Sequence, residues 1–276
     1  MSSEAAVVGE IRETYIDRRG NVTQRIEHTD YSSETSCNTI RVDLPSDSTD
    51  VRVSLDYEST EFAKLCKEKD SRSLGFRFVK RSFDILFSGV VCLLGVIPGA
   101  VLSIAIAIDT KGAPIYSQER VGRCGKSFRI YKFRSMAADA DQVEKYLNQE
   151  QLHQWNTERK VDNDPRITRF GRLLRSTSID EFPQFINVFR GDISIIGPRP
   201  ITYHELEWFG SNASELLSVP AGITGAWQCG PRNDVTFENG RRQQIELDYA
   251  NNASLSRDAS IFFKTFAVMF LKRTGR

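Results

Sequence analysis

One apolar run dominates the pattern of hydrophobic and polar positions: ILFSGVVCLLGVIPGAVLSIAIAI, from Ile85 to Ile108, holds no charged residue and is bracketed by Asp84 and Asp109. As a helix rising about 1.5 Å per residue, roughly 24 residues reach about 36 Å, enough for a hydrocarbon core of about 30 Å. Pro98, followed by Gly99 and close to Gly95, falls near the middle of the run. A proline there deletes a helix hydrogen bond and favours a bend. Basic residues flank both ends, Arg77, Lys80 and Arg81 before and Lys111, Arg120 and Arg123 after. Positive flanks on both sides point both ends towards the cytoplasm. The expectation is a re-entrant helix that enters the bilayer and returns, broken at Pro98; a Pro-kinked single span is the competing reading, because membrane helices tolerate proline.

The remaining pattern divides the chain around this run. Residues 1–72 are polar, carry charge of both signs and show no sustained apolar period, so they read as a disordered extension. They lack the apolar segment of a secretory signal peptide. Residues 73–110 form the membrane-anchoring segment, and 111–276 carry the short helical and loop signals of a small domain. Within that domain TRFGRLLRS, Thr168 to Ser176, sets Arg169, Arg172 and Arg175 at i+3 steps with Phe170, Leu173 and Leu174 on a different side. This predicts an amphipathic helix, lying at a membrane interface or on a core. The final apolar stretch, Ile261 to Leu271, is about 11 residues against the roughly 20 a span requires, so it packs on the domain or lies at the interface.

Composition removes several function classes. Lys and Arg total 37 against 36 Asp and Glu, a net charge of +1, so a globally basic nucleic-acid binder is not expected. The five cysteines are scattered, odd in number and without a CxxC pair, which supports neither a zinc site nor a disulfide framework. The three histidines, His28, His153 and His204, have no metal-ligand or triad spacing.

The densest candidate chemistry is the segment from Arg175 to Gln184, RSTSIDEFPQ, which sets Asp180 beside Glu181. Two adjacent carboxylates raise each other's protonation tendency unless a cation intervenes, so the pair suits a divalent metal or a nucleophile. An acidic pair alone is more often a helix start or a solvated face. Around it lie many phosphate-capable groups: Lys132 and Arg134 in YKFRSM, Arg166 and Arg169 in NDPRITR, Arg175 in LLRSTS, and Arg199 in GPRP. Arginine presents a planar fork to phosphate oxygens and lysine a point charge. The flanking Pro198 and Pro200 would hold Arg199 in a preset direction.

The order of these segments resembles the bacterial sugar transferase family, the monotopic polyprenol-phosphate phosphoglycosyl transferases, over about residues 77–275. The resemblance is carried by KRSFD (Lys80 to Asp84), PIYSQERVG (Pro114 to Gly122), YKFRSM (Tyr131 to Met136), DPRITRFGRLLRSTSIDEFPQFINVFRGDISIIGPRP (Asp164 to Pro200), PAGITGAWQ (Pro220 to Gln228) and DYANNASLSRDASIFFKT (Asp248 to Thr265). It implies an α-rich α+β fold, with one re-entrant membrane helix, amphipathic interface helices and a small catalytic domain facing the cytoplasm at the bacterial inner membrane. It also implies Mg²⁺, a UDP-sugar donor, a polyprenyl phosphate acceptor such as undecaprenyl phosphate, contact with membrane lipids, and downstream glycosyltransferases in exopolysaccharide, capsule or O-antigen synthesis. The catalytic pair falls on Asp180 and Glu181, which would also hold the metal. Asp180 would attack the phosphorus bonded to the sugar, release UMP and carry the sugar phosphate, with Glu181 on the metal or the lipid acceptor. Arg175, Arg199 and Arg232 match phosphate or nucleotide-sugar positions, with Lys132 and Arg134 as further candidates. Two departures stand out: Ile97 precedes Pro98 where the family often has Ser, and Gln228 to Arg232 differs from the usual glycine-arginine pattern. Other readings are a metal ligand at Asp180 with direct transfer to the lipid, or a non-catalytic scaffold that binds anionic lipid.

Overall fold

The computed structural model describes residues 9–16, 22–29, 56–158, 161, 163–230 and 240–271. Two compact units divide the chain, Met1–Asp56 and Tyr57–Arg276. In the first, β1 (Gly9–Ile16) and β2 (Val22–Thr29) form an antiparallel hairpin with Gly9 opposite Thr29 and Ile16 opposite Val22. Between them the strands supply Ile, Val, Tyr and Thr, the residues that suit a pleated backbone. The second unit begins before residue 72, with α1 (Thr60–Lys69), capped by the Ser59 hydroxyl. Phe62 and Cys66 are its buried residues, a single helical turn apart. That pair is too short a pattern to register among the surrounding charges, and it moves the start of the folded unit from 73 to 57.

Helix α2 (Leu74–Thr110) starts at the Ser73 cap and ends at Lys111, whose left-handed φ of 55° turns the chain away. It is one continuous helix through Pro98, and the expected break does not interrupt it. It is long and apolar enough to cross a membrane. Leu86, Leu93, Leu94, Ile97, Ile104 and Ile108 are exposed along it. Its other face rests on the second unit along its length. Lys80, Asp84 and Ser88 are buried near the start, Gly95 meets Phe182 in the middle, and Ile106 and Thr110 are buried at the end.

The rest of the unit is a set of short elements around this helix. An antiparallel hairpin follows, β3 (Ile115–Val121) and β4 (Ser127–Phe133), with Ile115 opposite Phe133. Next come α3 (Val143–Tyr146), α4 (Gln149–Glu158), α5 (Arg169–Ser176), a 3-10 turn at Ile179–Glu181 and α6 (Gln184–Arg190). The chain continues with β5 (Ser194–Ile196), α7 (Tyr203–Glu207), α8 (Ala213–Leu216), β6 (Gly222–Thr224), α9 (Arg241–Asn251) and α10 (Leu255–Leu271). Strands β5 and β6 are parallel, Ser194 against Gly222 and Ile196 against Thr224. The architecture is helix-rich α+β, with three two-stranded sheets among the described residues. One core gathers Val188, Ile193, Ile195, Ile196, Tyr249 and Ile261, with Phe87 and Phe262 packed on it; a second joins Ile106, Phe133 and Leu174, with Leu102, Phe170 and Phe182 against them.

Buried polar groups fix α2 in register. Lys80 Nζ lies 2.5 Å from Asp258 Oδ2 on α10, and the Tyr249 hydroxyl donates to Asp258 Oδ1 at 2.7 Å. One turn on, Asp84 Oδ1 accepts from the Ile195 N–H at 3.0 Å and from the Ser194 hydroxyl at 3.1 Å. Arg81 donates to the carbonyls of Val188 and Phe189 at the end of α6. In the middle, a Cβ on Gly95 would sit 1.9 Å from Phe182 Cζ, so the bare glycine is what lets the Phe182 ring reach the helix backbone. Phe182 stacks on Phe133 with centroids 6.4 Å apart and planes 6° from parallel.

Two stability outcomes follow from this seating. Lys80→Met strands the buried Asp258 carboxylate and is expected to cost about 3–5 kcal/mol, while Lys80→Met combined with Asp258→Leu recovers part of the loss; thermal unfolding in detergent reads both. Gly95→Ala is expected to lower the midpoint as well, because overpacking costs about 1–3 kcal/mol, outweighing alanine's helix advantage of about 1 kcal/mol.

Candidate active site

The acidic pair is delivered by a sharp chain reversal. Thr168 caps α5 by accepting the Gly171 N–H at 2.8 Å, and Gly171 lets the helix lie on β4's exit, since a Cβ there would be 1.9 Å from the Ser135 carbonyl oxygen. Phe170 and Leu174 turn inward and Leu173 stays exposed. At the far end Ser178 adopts a left-handed φ of 57°, its N–H donating to the Arg175 carbonyl at 3.1 Å. A non-glycine residue held there stores strain of the kind found at functional sites. The 3-10 turn that follows is anchored at Phe182 and points Asp180 inward, 9% exposed, with Glu181 nearer solvent.

Burial is the main reason that the Asp180 carboxyl is pushed up to about 6, and the like charge of Glu181 adds to it. Lys132 and Arg175 oppose both effects. Lys132, on β4, places Nζ 2.9 Å from Glu181 Oε1. Arg175 keeps solvent contact and donates from Nε to Ser135 Oγ at 2.8 Å, yet the protein around its guanidinium displaces enough water to lower its pKa. The strand that carries Lys132 is braced by Asn187 of α6, fully buried, whose Oδ1 accepts the Tyr131 N–H at 3.0 Å and whose Nδ2 donates to the Arg129 carbonyl at 2.7 Å.

A small cleft opens beside the pair, with Lys132, Glu181, Gln184, Arg199, Arg120 and Gln228 among its walls. Arg199, between its two prolines, donates its backbone N–H to Glu246 Oε1 at 3.3 Å and places its guanidinium 5.7 Å from the Trp227 ring. Arg242 stacks on the same indole at 4.3 Å. Glu246 is deeply buried and is raised to about 7 by loss of solvent; Arg242 is lowered to about 10 for the same reason, with Arg199's like charge adding to it. Arg120, whose pKa is lowered by burial and further by the like charge of Arg199, lies 3.9 Å from Glu205.

The structure therefore brings Lys132, Arg175, Asp180, Glu181 and Arg199 together. Arg134 does another job: its Nε donates to the Ala113 carbonyl at 2.7 Å and its guanidinium lies over Tyr116 at 5.8 Å, bracing the base of the hairpin. Arg232 lies outside the described residues. Arg120, Gln184, Trp227, Gln228, Arg242 and Glu246 join the site without having been named as site residues from the sequence. Arg120 and Gln228 sit inside motifs quoted above, whereas Arg242 and Glu246, four apart in a charged helix, have the spacing of an ordinary solvated face.

The donor set suits a hard cation in one particular way. Among the described residues no group of three or more His, Cys, Asp or Glu could hold a metal, so Asp180 and Glu181 are the carboxylates available here. Mg²⁺ commonly takes one or two carboxylates and completes its shell with substrate phosphates and water. A cation between them would also relieve the repulsion that raises Asp180.

Comparison with known proteins bears on the same segment. Over 203 residues the chain is 42% identical to a UDP-galactose-lipid carrier transferase of Erwinia amylovora and 40% identical to an undecaprenyl-phosphate galactose phosphotransferase of Salmonella typhimurium, each match covering 72% of this chain and 42% of the relative. It is 38% identical over 197 residues to the exopolysaccharide production protein ExoY of Rhizobium meliloti, covering 70% of this chain and 86% of that one. The chain thus spans less than half the length of the first two relatives and most of the third. The bacterial sugar transferase family matches residues 75–272, which include the whole site, and the chain belongs to that family.

Proposed function

We propose that the protein transfers a sugar 1-phosphate from a UDP-sugar to polyprenyl phosphate, undecaprenyl phosphate in the bacterial inner membrane, through a phosphosugar carried on Asp180. The single observation that carries this reading is a buried carboxylate of raised pKa held between Lys132 and Arg175 at the edge of an arginine-lined cleft. The names of the relatives, an undecaprenyl-phosphate galactose phosphotransferase and a UDP-galactose-lipid carrier transferase, support the donor and acceptor classes. ExoY's name supports a place in exopolysaccharide synthesis, where downstream glycosyltransferases would extend the product.

In the first step an oxygen of ionised Asp180 attacks the phosphorus bonded to the sugar, the bond to the UMP oxygen breaks, and UMP leaves with those electrons. In the second, a phosphate oxygen of the lipid attacks the same phosphorus and expels the Asp180 carboxylate, giving the lipid diphosphosugar. Lys132, Arg175 and Arg199 offer charge-assisted donors to the phosphoryl oxygens, and Arg120 adds positive potential at the cleft. Lys132 also holds Glu181 in place beside the nucleophile through its 2.9 Å contact with Oε1. Mg²⁺, held by Asp180 and Glu181, would neutralise charge on the donor's diphosphate.

The same reading places α2 in the membrane as a re-entrant anchor with the catalytic unit on the cytoplasmic side. Support comes from its packing. Lys80 and Asp84 near one end, and Ile106 and Thr110 near the other, are buried against one folded unit, which a simple crossing would separate. Pro98 would supply bending strain on the exposed face.

Two measurements test the chemistry. UMP release from a UDP-sugar and undecaprenyl phosphate should rise through an acid limb near pH 6 as Asp180 ionises, and Lys132→Met should move that limb to higher pH while slowing turnover; a limb unmoved by the substitution would remove Asp180 from the titration. Asp180→Asn should abolish UMP release and the mass of the trapped phosphosugar. It should also stabilise the fold: the folded-state pKa is raised, so ionisation costs stability progressively between pH 4 and 6. The amide should therefore gain about 1–3 kcal/mol at pH 7.5 and nothing at pH 4 or below, read by thermal unfolding.

A further inference from the structure

The β3–β4 hairpin has two working faces. Ile130 and Lys132 line the catalytic cleft, whereas Arg129 and Tyr131 line a separate groove of about 370 Å³. Alternation of side chains along a strand puts these two pairs on opposite sides of β4. The groove's other wall is Arg190, Gly191 and Asp192, at the end of α6.

Four cations border this groove, Arg123, Lys126, Arg129 and Arg190, with Asp192 as the single acid in its lining. Arg123 is committed to Asp70 at 2.7 Å and the Ser218 carbonyl at 2.8 Å. Asp192 is engaged by Asn187 Nδ2 at 2.9 Å and by Arg190 Nε at 3.6 Å. Lys126 and Arg129 are exposed, and among the described residues neither side chain has an ion pair or hydrogen bond. Glu119 is opposite Arg129 in the hairpin register and makes no ion pair with it. The Tyr131 hydroxyl accepts from Arg190 Nη1 at 3.2 Å, which leaves its own proton free to donate. Two uncommitted cations, one of them an arginine fork, and a phenolic donor are the chemistry that binds a phosphate oxyanion.

The position of the groove selects the source of that phosphate. Phe189, next to Arg190, is 52% exposed and lies against Gly89 in the apolar run of α2. Gly191 abuts the Arg81 guanidinium, which binds the last carbonyls of α6. One wall of the groove thus runs directly into the apolar surface of α2, where acyl chains would lie. We propose that Lys126, Arg129, Tyr131 and Arg190 hold the phosphate headgroup of an anionic phospholipid, a second phosphate site separated from the catalytic cleft by the thickness of the hairpin.

The test uses the full chain in nanodiscs of phosphatidylcholine with phosphatidylglycerol, with lipid retained after detergent extraction counted by native mass spectrometry. Wild type should retain phosphatidylglycerol in preference to phosphatidylcholine, and Lys126→Gln/Arg129→Gln should reduce that retention about tenfold with its thermal midpoint unchanged. Lys111→Gln, a cation outside the groove, should retain it like wild type. Equal loss in the Lys111 variant would reduce the effect to diffuse surface charge and overturn the site. Binding of inorganic phosphate by the detergent-solubilised protein, abolished by the double substitution while lipid retention stays unchanged, would make the groove a soluble-anion site and overturn the lipid assignment. Retention of phosphatidylglycerol by the double variant at wild-type level, with no phosphate binding in either protein, would overturn both.

Discussion

An apolar helix that carries a buried lysine and a buried aspartate can be stable only if the protein around it satisfies both. That constraint organises the second unit. Lys80 needs Asp258, Asp258 needs the Tyr249 hydroxyl, and Asp84 needs the Ile195 amide and Ser194 hydroxyl. Because these partners come from β5, α9 and α10, far along the chain, the N-terminal part of α2 and the C-terminal helices must close on each other before either is satisfied. Unpaired, each buried charge would cost several kcal/mol. The strand β5, three residues long and wholly buried, is held at the centre of this arrangement by the Asp84 contacts on one side and its parallel partner β6 on the other.

The candidate site takes its geometry from the same helix. Phe182 follows the acidic pair directly, and its ring is seated by Gly95 and Phe133. The turn cannot shift without unseating the ring, so Asp180 is kept on the buried side, where desolvation raises its pKa. Asn187, a turn further on, satisfies two backbone groups of β4 and so fixes the strand that brings Lys132 to Glu181. Apolar helix, acidic turn and basic strand are thereby one packed assembly, and the raised pKa of Asp180 is a consequence of how tightly it is packed.

The hairpin extends this logic to the surface. A two-stranded ribbon has two faces, and β4 places Lys132 on one and Arg129 on the other. Positive charge is thus offered in two directions from a single strand, towards the buried carboxylates and towards the groove beside α2.

The sequence by itself determined the elements whose signal is local. The apolar run marks α2, the Arg169, Arg172 and Arg175 spacing marks α5, and the ordered motifs around Asp180 and Glu181 mark the family. It also singled out Lys132, Arg175 and Arg199 by residue type alone, and the fold gathers them around the acidic pair. What it could not carry were relations between distant positions. Helix α1 folds onto the unit through only two buried side chains, Arg242 and Glu246 read as a surface pair until Trp227 and Arg199 close over them, and Arg134 looks like Lys132 until the chain leaving β4 brings its guanidinium to the Ala113 carbonyl. Tertiary structure decided these because burial, and with it each group's pKa and its partner, depends on which surfaces meet. A linear pattern gives the identity of a charge; only packing gives the solvent it loses and the neighbour that replaces it.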